Sequence, residues 1–274
     1  MKGEEGTLRR GDAGSGFAVS PRPPVSASLS LDWNLLKRVS RSFYLTLRLL
    51  PGPVREPISL AYLLARGSDT EADGAATDAE KELLARRQEI EGWLAASPDR
   101  AEIGKVWTTI QDGQRFDGER FGGGNSPPLS AEELDRYTYL VAGCVGEFWT
   151  GICAKKLPGF SRRPLEEMKE LGVRFGKGLQ LVNILRDRQA DARLGRVYVT
   201  DTQFSEQLRL AREHLDAAEI YIRSLTVRRL RAACALPYLM GCETLDLVQK
   251  FPDRAGVKIS RNRVWFLLFR GFFF

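Results

Sequence analysis

At 274 residues, 43 % hydrophobic and 28 % charged, the chain can bury one substantial core, and its composition excludes a fibrous or wholly disordered protein. The net charge of +6 suits nucleic acid, an anionic membrane surface or phosphorylated small molecules. The basic residues are scattered, with no zinc-finger spacing or aromatic-flanked basic tract, so no nucleic acid partner is expected.

Residues 1–30 are rich in Gly, Ser and Pro without apolar periodicity and are expected to be a disordered tail; one catalytic domain is expected over 31–274. From Leu31 onward the pattern is helical. Apolar residues recur every three or four positions through 56–66, 78–96, 130–155, 164–188, 205–225 and 228–249, and strand-like alternation is absent, which predicts an all-α fold. Pro51-Gly52-Pro53 closes one helix, and the run from Phe121 to Pro128 forms a long loop. Ser130 with Glu133 makes a capping box for the next helix.

Cys144, Cys153, Cys234 and Cys242 match no paired metal spacing and read as free thiols. With no signal-peptide pattern at the N-terminus, they point to a cytoplasmic protein. His214, the lone histidine, sits in a charged helix and reads as a surface residue. The segment from Arg263 to Phe274 is apolar but too short and too charged to span a bilayer; it is expected to dock on the body of the protein, with peripheral membrane contact the alternative.

The sharpest signal is a repeated DxxxD. Asp69 and Asp73 end an apolar helix that starts near Ile58, and Asp187 and Asp191 end another that starts near Glu166. Positions four apart on a helix share a face, so each pair presents two carboxylates to one small volume. Arg66 lies one turn before Asp69, and Gln180, Asn183 and Asp187 form one stripe beside Arg186. Two copies at the polar ends of apolar helices outweigh a pair of wet helix faces, although salt bridges with Arg66 and Arg186 remain the structural alternative. Carboxylates bind an anionic diphosphate only through hard cations such as Mg2+, with arginines neutralising the remaining charge.

Five stretches carry a resemblance to the squalene/phytoene synthase family: Ser40 to Tyr44, Tyr62 to Asp73, Tyr137 to Gly146, Gln180 to Asp191, and Gly195 to Tyr198. The resemblance as a whole runs in order from about residue 33 to 264. The resemblance implies an isoprenoid synthase helical bundle around a central cavity, with the aspartate pairs facing each other at its mouth. It implies Asp69, Asp73, Asn183, Asp187 and Asp191 around Mg2+, and Ser40, Arg41, Ser42, Phe43, Tyr62, Arg66, Gln180, Arg186, Arg196 and Tyr198 around the prenyl diphosphates. It further implies Tyr137 as the tyrosine that assists proton transfer. The activity so implied is head-to-head condensation of two farnesyl diphosphates via presqualene diphosphate to squalene or dehydrosqualene. Geranylgeranyl diphosphate giving phytoene, or a non-catalytic assembly factor, are the alternatives.

The residues themselves agree with such chemistry, since a carbocation is favoured over aromatic faces such as Phe43, Tyr44, Tyr137 and Phe148, with packing the expected role of Phe148. Ala142, Gly143 and Gly146 leave room either for prenyl tails or for close helix contact. The pattern departs from the family at Ala190, where an acidic residue is common, and at Val199-Thr200, where a proline often follows the tyrosine. No Gly-rich dinucleotide fingerprint is present, so the sequence does not report on NADPH.

Overall fold

The named elements are all helical in the structure, a computed structural model that describes residues 32–40, 43–73, 76–123, 126–252, 254 and 256–274, with the backbone alone at 72, 73 and 261. The expected tail over 1–30, and Arg41 and Ser42, lie outside the described residues. In chain order the elements are α1 (Trp33–Ser40), α2 (Phe43–Leu49), α3 (Gly52–Asp73), α4 (Asp78–Ala85), α5 (Arg87–Ala96), α6 (Arg100–Phe121) and α7 (Ala131–Thr138). A π-helical turn (Tyr139–Gly143) leads directly into α8 (Cys144–Lys156). Then come α9 (Leu165–Arg193), α10 (Phe204–Ser224), α11 (Arg228–Lys250) and α12 (Arg261–Gly271).

Local chemistry accounts for most boundaries. The Asp32 carboxylate accepts the amides of Asn34 and Leu35 and starts α1. α3 begins at Gly52, earlier than the Ile58 expected from periodicity, because Pro53 sits in the first turn, where its missing N–H costs nothing, and Pro57 forgoes only one bond. The run expected as one helix over 78–96 breaks at Arg86, whose backbone leaves helical geometry and whose guanidinium reaches Asp32 and Glu89. The Ser130–Glu133 capping box is formed at the start of α7, and a second one, Thr77–Glu80, starts α4.

Hydrophobic periodicity does not mark α6. Its buried residues, Ile103, Val106, Ile110, Gly113 and Phe121, form a narrow stripe on an otherwise polar helix. α9 is the longest element at 29 residues, about 43 Å at 1.5 Å per residue. It packs on α8, the π turn, α10 and α11. The crossing of α8 with α9 is close enough that a Cβ on Gly146 would overlap the Gly172 carbonyl, and one on Gly176 would overlap that of Ala142. Gly146 thus serves helix contact, while Gly143 abuts the Tyr139, Lys177 and Val173 side chains.

The C-terminal segment docks. α12 lies on α11 through the buried Leu267, and the Phe274 ring packs edge-on against Tyr238. The same segment leaves Trp265, Phe266, Phe269, Phe272 and Phe273 exposed. Among the described residues no helix is long and apolar enough to cross a membrane. The four cysteines are free, all buried except the half-buried Cys242.

Candidate active site

Between α3, α6, α8, α9 and α11 the helices enclose a cavity of about 590 Å³. Its apolar part is walled by Val106, Ile110, Val145, Phe148, Trp149, Phe175 and Leu179. Polar residues gather elsewhere on its wall: Asp69, Gln114, Asp117, Gln180, Asn183 and Arg196. α9 alone brings Gly172, Phe175, Gly176, Leu179, Gln180 and Asn183 to this wall, apolar residues and polar ones from one helix.

Phe43, Tyr62, Tyr137 and Tyr198 also line it. Phe43 stacks on Tyr62 at 5.2 Å between centroids, and the Tyr62 hydroxyl donates to the Val39 carbonyl. Phe148, expected to serve packing, is a wall residue, whereas Tyr44 packs against the core outside the lining. Tyr137 stands between Phe116 and Tyr198, stacked on both, with centroids 6.0 and 5.3 Å away.

Other sequence-derived residues stand beside the cavity or away from it. Ser40 is buried, with its hydroxyl donated back to the Leu36 carbonyl at the end of α1. Arg66 gives its guanidinium to Glu80, the buried capping-box carboxylate of α4, and approaches Asp69 only to 4.0 Å. The Glu80 carboxyl is held down at about 2 by the Thr77 amide and hydroxyl and by Arg66. Arg186 forms a bidentate pair with Asp187, with Nε to Oδ1 at 2.9 Å. Asp73 closes α3, and its side chain lies outside the description.

Two site residues escaped sequence reasoning, both on α6. The Gln114 amide donates to Asp69 at 2.5 Å, and Asp117 accepts the Tyr198 hydroxyl at 2.5 Å with Arg196 at 3.8 Å. A signal for them existed, because Ile103, Val106, Ile110, Gln114 and Asp117 follow one another at three- or four-residue steps, an apolar stripe that turns polar toward its end. Tyr198 owes its place to the end of α9. There Gly195, at φ 77°, closes a Schellman turn in which the Gly195 amide bonds Ala192 and the Arg196 amide bonds Asp191. The chain folds back and brings Arg196 and Tyr198 to the cavity wall.

The electrostatics of this end are those of crowded carboxylates. Burial, then Asp187 and Asp117, push the Asp191 carboxyl up to about 6 against the pull of Arg196. Burial, then Asp117, Asp69 and Asp191, push the Tyr137 phenol above its ordinary range. Among the described residues no three His, Cys, Asp or Glu side chains converge closely enough to hold an ion alone. All-oxygen donors with excess negative charge fit Mg2+, which keeps several waters and leans on one or two carboxylates together with substrate phosphates.

The chain is 24 % identical to squalene synthase of Schizosaccharomyces pombe over 84 % of this chain and 62 % of that protein. It is 32 % identical to 15-cis-phytoene synthase of Synechocystis over 66 % of this chain and 59 % of that protein. It thus spans about six-tenths of the length of the curated relatives it matches. A solved TcSQS complex with a ligand superposes with a TM-score of 0.71 at 20 % identity, covering 87 % of this chain and 84 % of that one, and so shares the fold. The squalene/phytoene synthase family model matches residues 36–206, more than half of the chain, and the chain belongs to that family of prenyltransferases.

Proposed function

We propose that this protein joins two farnesyl diphosphates head to head, through presqualene diphosphate, to squalene or dehydrosqualene, with Mg2+ as cofactor. The observation that carries the reading is one cavity whose largely apolar wall also holds polar side chains from α3, α6 and α9. A volume of about 590 Å³ lies within the range of pockets that bury a ligand larger than a single small molecule.

Asp69, Asn183, Asp187 and Asp191, with Asp73, would hold Mg2+, which when bound neutralises the departing diphosphate. Arg186 and Arg196 add positive charge at the same end. The apolar walls exclude water from a carbocation, and the faces of Phe43, Tyr62 and Phe148 favour its charge, whereas both faces of Tyr137 are covered by Phe116 and Tyr198. Tyr137, which lines the cavity, would take the proton.

The test is to incubate the protein with labelled farnesyl or geranylgeranyl diphosphate, with and without Mg2+ and NADPH, and to separate the products. A C30 hydrocarbon or presqualene diphosphate supports the reading. A C40 product moves the substrate to geranylgeranyl diphosphate, the substrate class consistent with the phytoene synthase likeness. No product from either substrate favours a non-catalytic assembly role. Asp69→Asn and Asp187→Asn should each cut turnover at least about 10²-fold, the scale of a lost electrostatic group; unchanged Mg2+-dependent rates would remove those residues from the metal site.

A second part of the proposal concerns location. The exposed aromatic face of α12, with Arg263 seated on Phe266 at 4.7 Å, supports contact with a membrane surface.

A further inference from the structure

Tyr137, Val141, Val145 and Trp149 all line the cavity, at steps of four along the run from α7 through the π turn into α8. In a regular helix each step of four overshoots a full turn by about 40°, so Trp149 would point about 120° away from Tyr137. The i→i+5 bonding of Tyr139–Gly143 places an extra residue in the turn and takes up part of that overshoot, which keeps the four side chains on one wall. Such turns are rare, and one bond spans this one. The Tyr139 hydroxyl donates to Glu147 Oε2 at 3.0 Å, from the first residue of the π turn to the first turn of α8. On a regular helix, residues eight apart lie about 12 Å apart along the axis and about 80° apart around it; the widened turn brings this pair into line. The Tyr139 ring passes Gly143, where an added Cβ would stand 3.1 Å from it. Neither Tyr139 nor Glu147 lines the cavity.

We propose that the Tyr139–Glu147 bond clamps the π turn, and that Tyr139 is thereby a positioning residue that holds Tyr137 against the cavity. The task of Tyr137 rests on the head-to-head reading; the clamp itself does not. The Ala142 carbonyl meets Gly176 and the Gly172 carbonyl meets Gly146, so the end of the π turn and α8 are fixed to α9 by their backbones. A turn that relaxes toward regular helix therefore rotates α7, and Tyr137 leaves its place between Phe116 and Tyr198. Displacing a reacting group by about 1 Å costs up to roughly 10²-fold in rate, so a hydroxyl that touches no substrate governs turnover.

The experiment compares the wild type with Tyr139→Phe, Glu147→Ala, Glu147→Gln, Tyr137→Phe and the Tyr137→Phe/Tyr139→Phe double variant, using labelled farnesyl diphosphate and Mg2+. Amide hydrogen exchange is measured on the wild type and Tyr139→Phe. Tyr139→Phe and Glu147→Ala are each expected to lower kcat at least about tenfold with KM little changed, while Glu147→Gln, which keeps an acceptor oxygen, retains most of it. Because Tyr139 acts through Tyr137, the double variant should be no slower than Tyr137→Phe alone. Exchange in Tyr139→Phe should quicken over 141–145 while the amides of α9 keep their wild-type protection. Wild-type kcat in Tyr139→Phe, a loss confined to KM, costs of the two tyrosine variants that multiply, or exchange that quickens equally in α9 would each overturn the proposal. If Glu147→Ala does not fold, Tyr139→Phe, which keeps the ring beside Gly143, decides by the same criteria. A wild type that forms no product sinks the head-to-head reading; hydrogen exchange then decides the clamp, and unchanged exchange over 141–145 sinks it too.

Discussion

His214 takes its charge state from a glycine on another helix. With no side chain at Gly178, α10 approaches until the His214 Cβ would stand 2.9 Å from a Cβ built there, and the imidazole becomes half-buried. Burial first, then Arg174 and Lys177, push its pKa down to about 4. In the unfolded chain the ring titrates near its ordinary 6.5, so between those values the unfolded state binds the proton more readily. The stability contributed above pH 6.5 is therefore lost as pH falls toward 4. His214→Gln should flatten this part of a Tm-against-pH curve; an unchanged slope would show that the ring is solvated. The sequence suggested a surface residue because the neighbours of His214 on its own helix are charged, and nothing along the chain shows which residue faces it. Asp69, Asn183 and Tyr137 were legible for the opposite reason: each continues an apolar stripe of its own helix.

At the level of elements, two glycines carry the arrangement. Gly195 holds a left-handed φ of 77°, which a side chain makes unfavourable by about 1–2 kcal/mol. Gly195→Ala should lower Tm accordingly and also reduce turnover, because Arg196 and Tyr198 follow that turn; a variant with wild-type Tm would show that the turn relaxes. Gly146→Val meets the Gly172 backbone rather than a mobile side chain, so the loss should reach or exceed the roughly 1–3 kcal/mol of an overpacked core. Denaturant unfolding would measure it. The helices richest in apolar residues announced themselves by period, while α6 did not, since three glycines and many charges dilute its single buried stripe. The break between α4 and α5 was likewise invisible, because it depends on Arg86 finding Asp32, 54 positions away.

For the molecule as a whole, the helical class followed from hydrophobic period, but the meeting of α3, α6 and α9 around one cavity is a tertiary fact. Gln114 and Asp117 act on partners 45 and 81 positions distant, and period along one helix cannot report such pairs. At its surface, Trp265 is 61 % and Phe269 64 % exposed on the docked α12, and Phe273, just beyond it, 76 %. The triple variant Trp265→Ser/Phe269→Ser/Phe273→Ser should lose co-sedimentation with anionic vesicles and keep its Tm, because Leu267 still anchors α12; equal sedimentation would place lipid contact elsewhere.

The backbone contact between α8 and α9 has an evolutionary consequence. Where main chains touch with no side chain between them, the two walls cannot move apart in small steps, so the width of the cavity is a fixed inheritance of the scaffold. Rings such as Phe148, Trp149 and Phe175 also form its wall, and a single codon change can trim each of them. Descendants of this chain can therefore drift in the volume they enclose while the helices around it stay where they are.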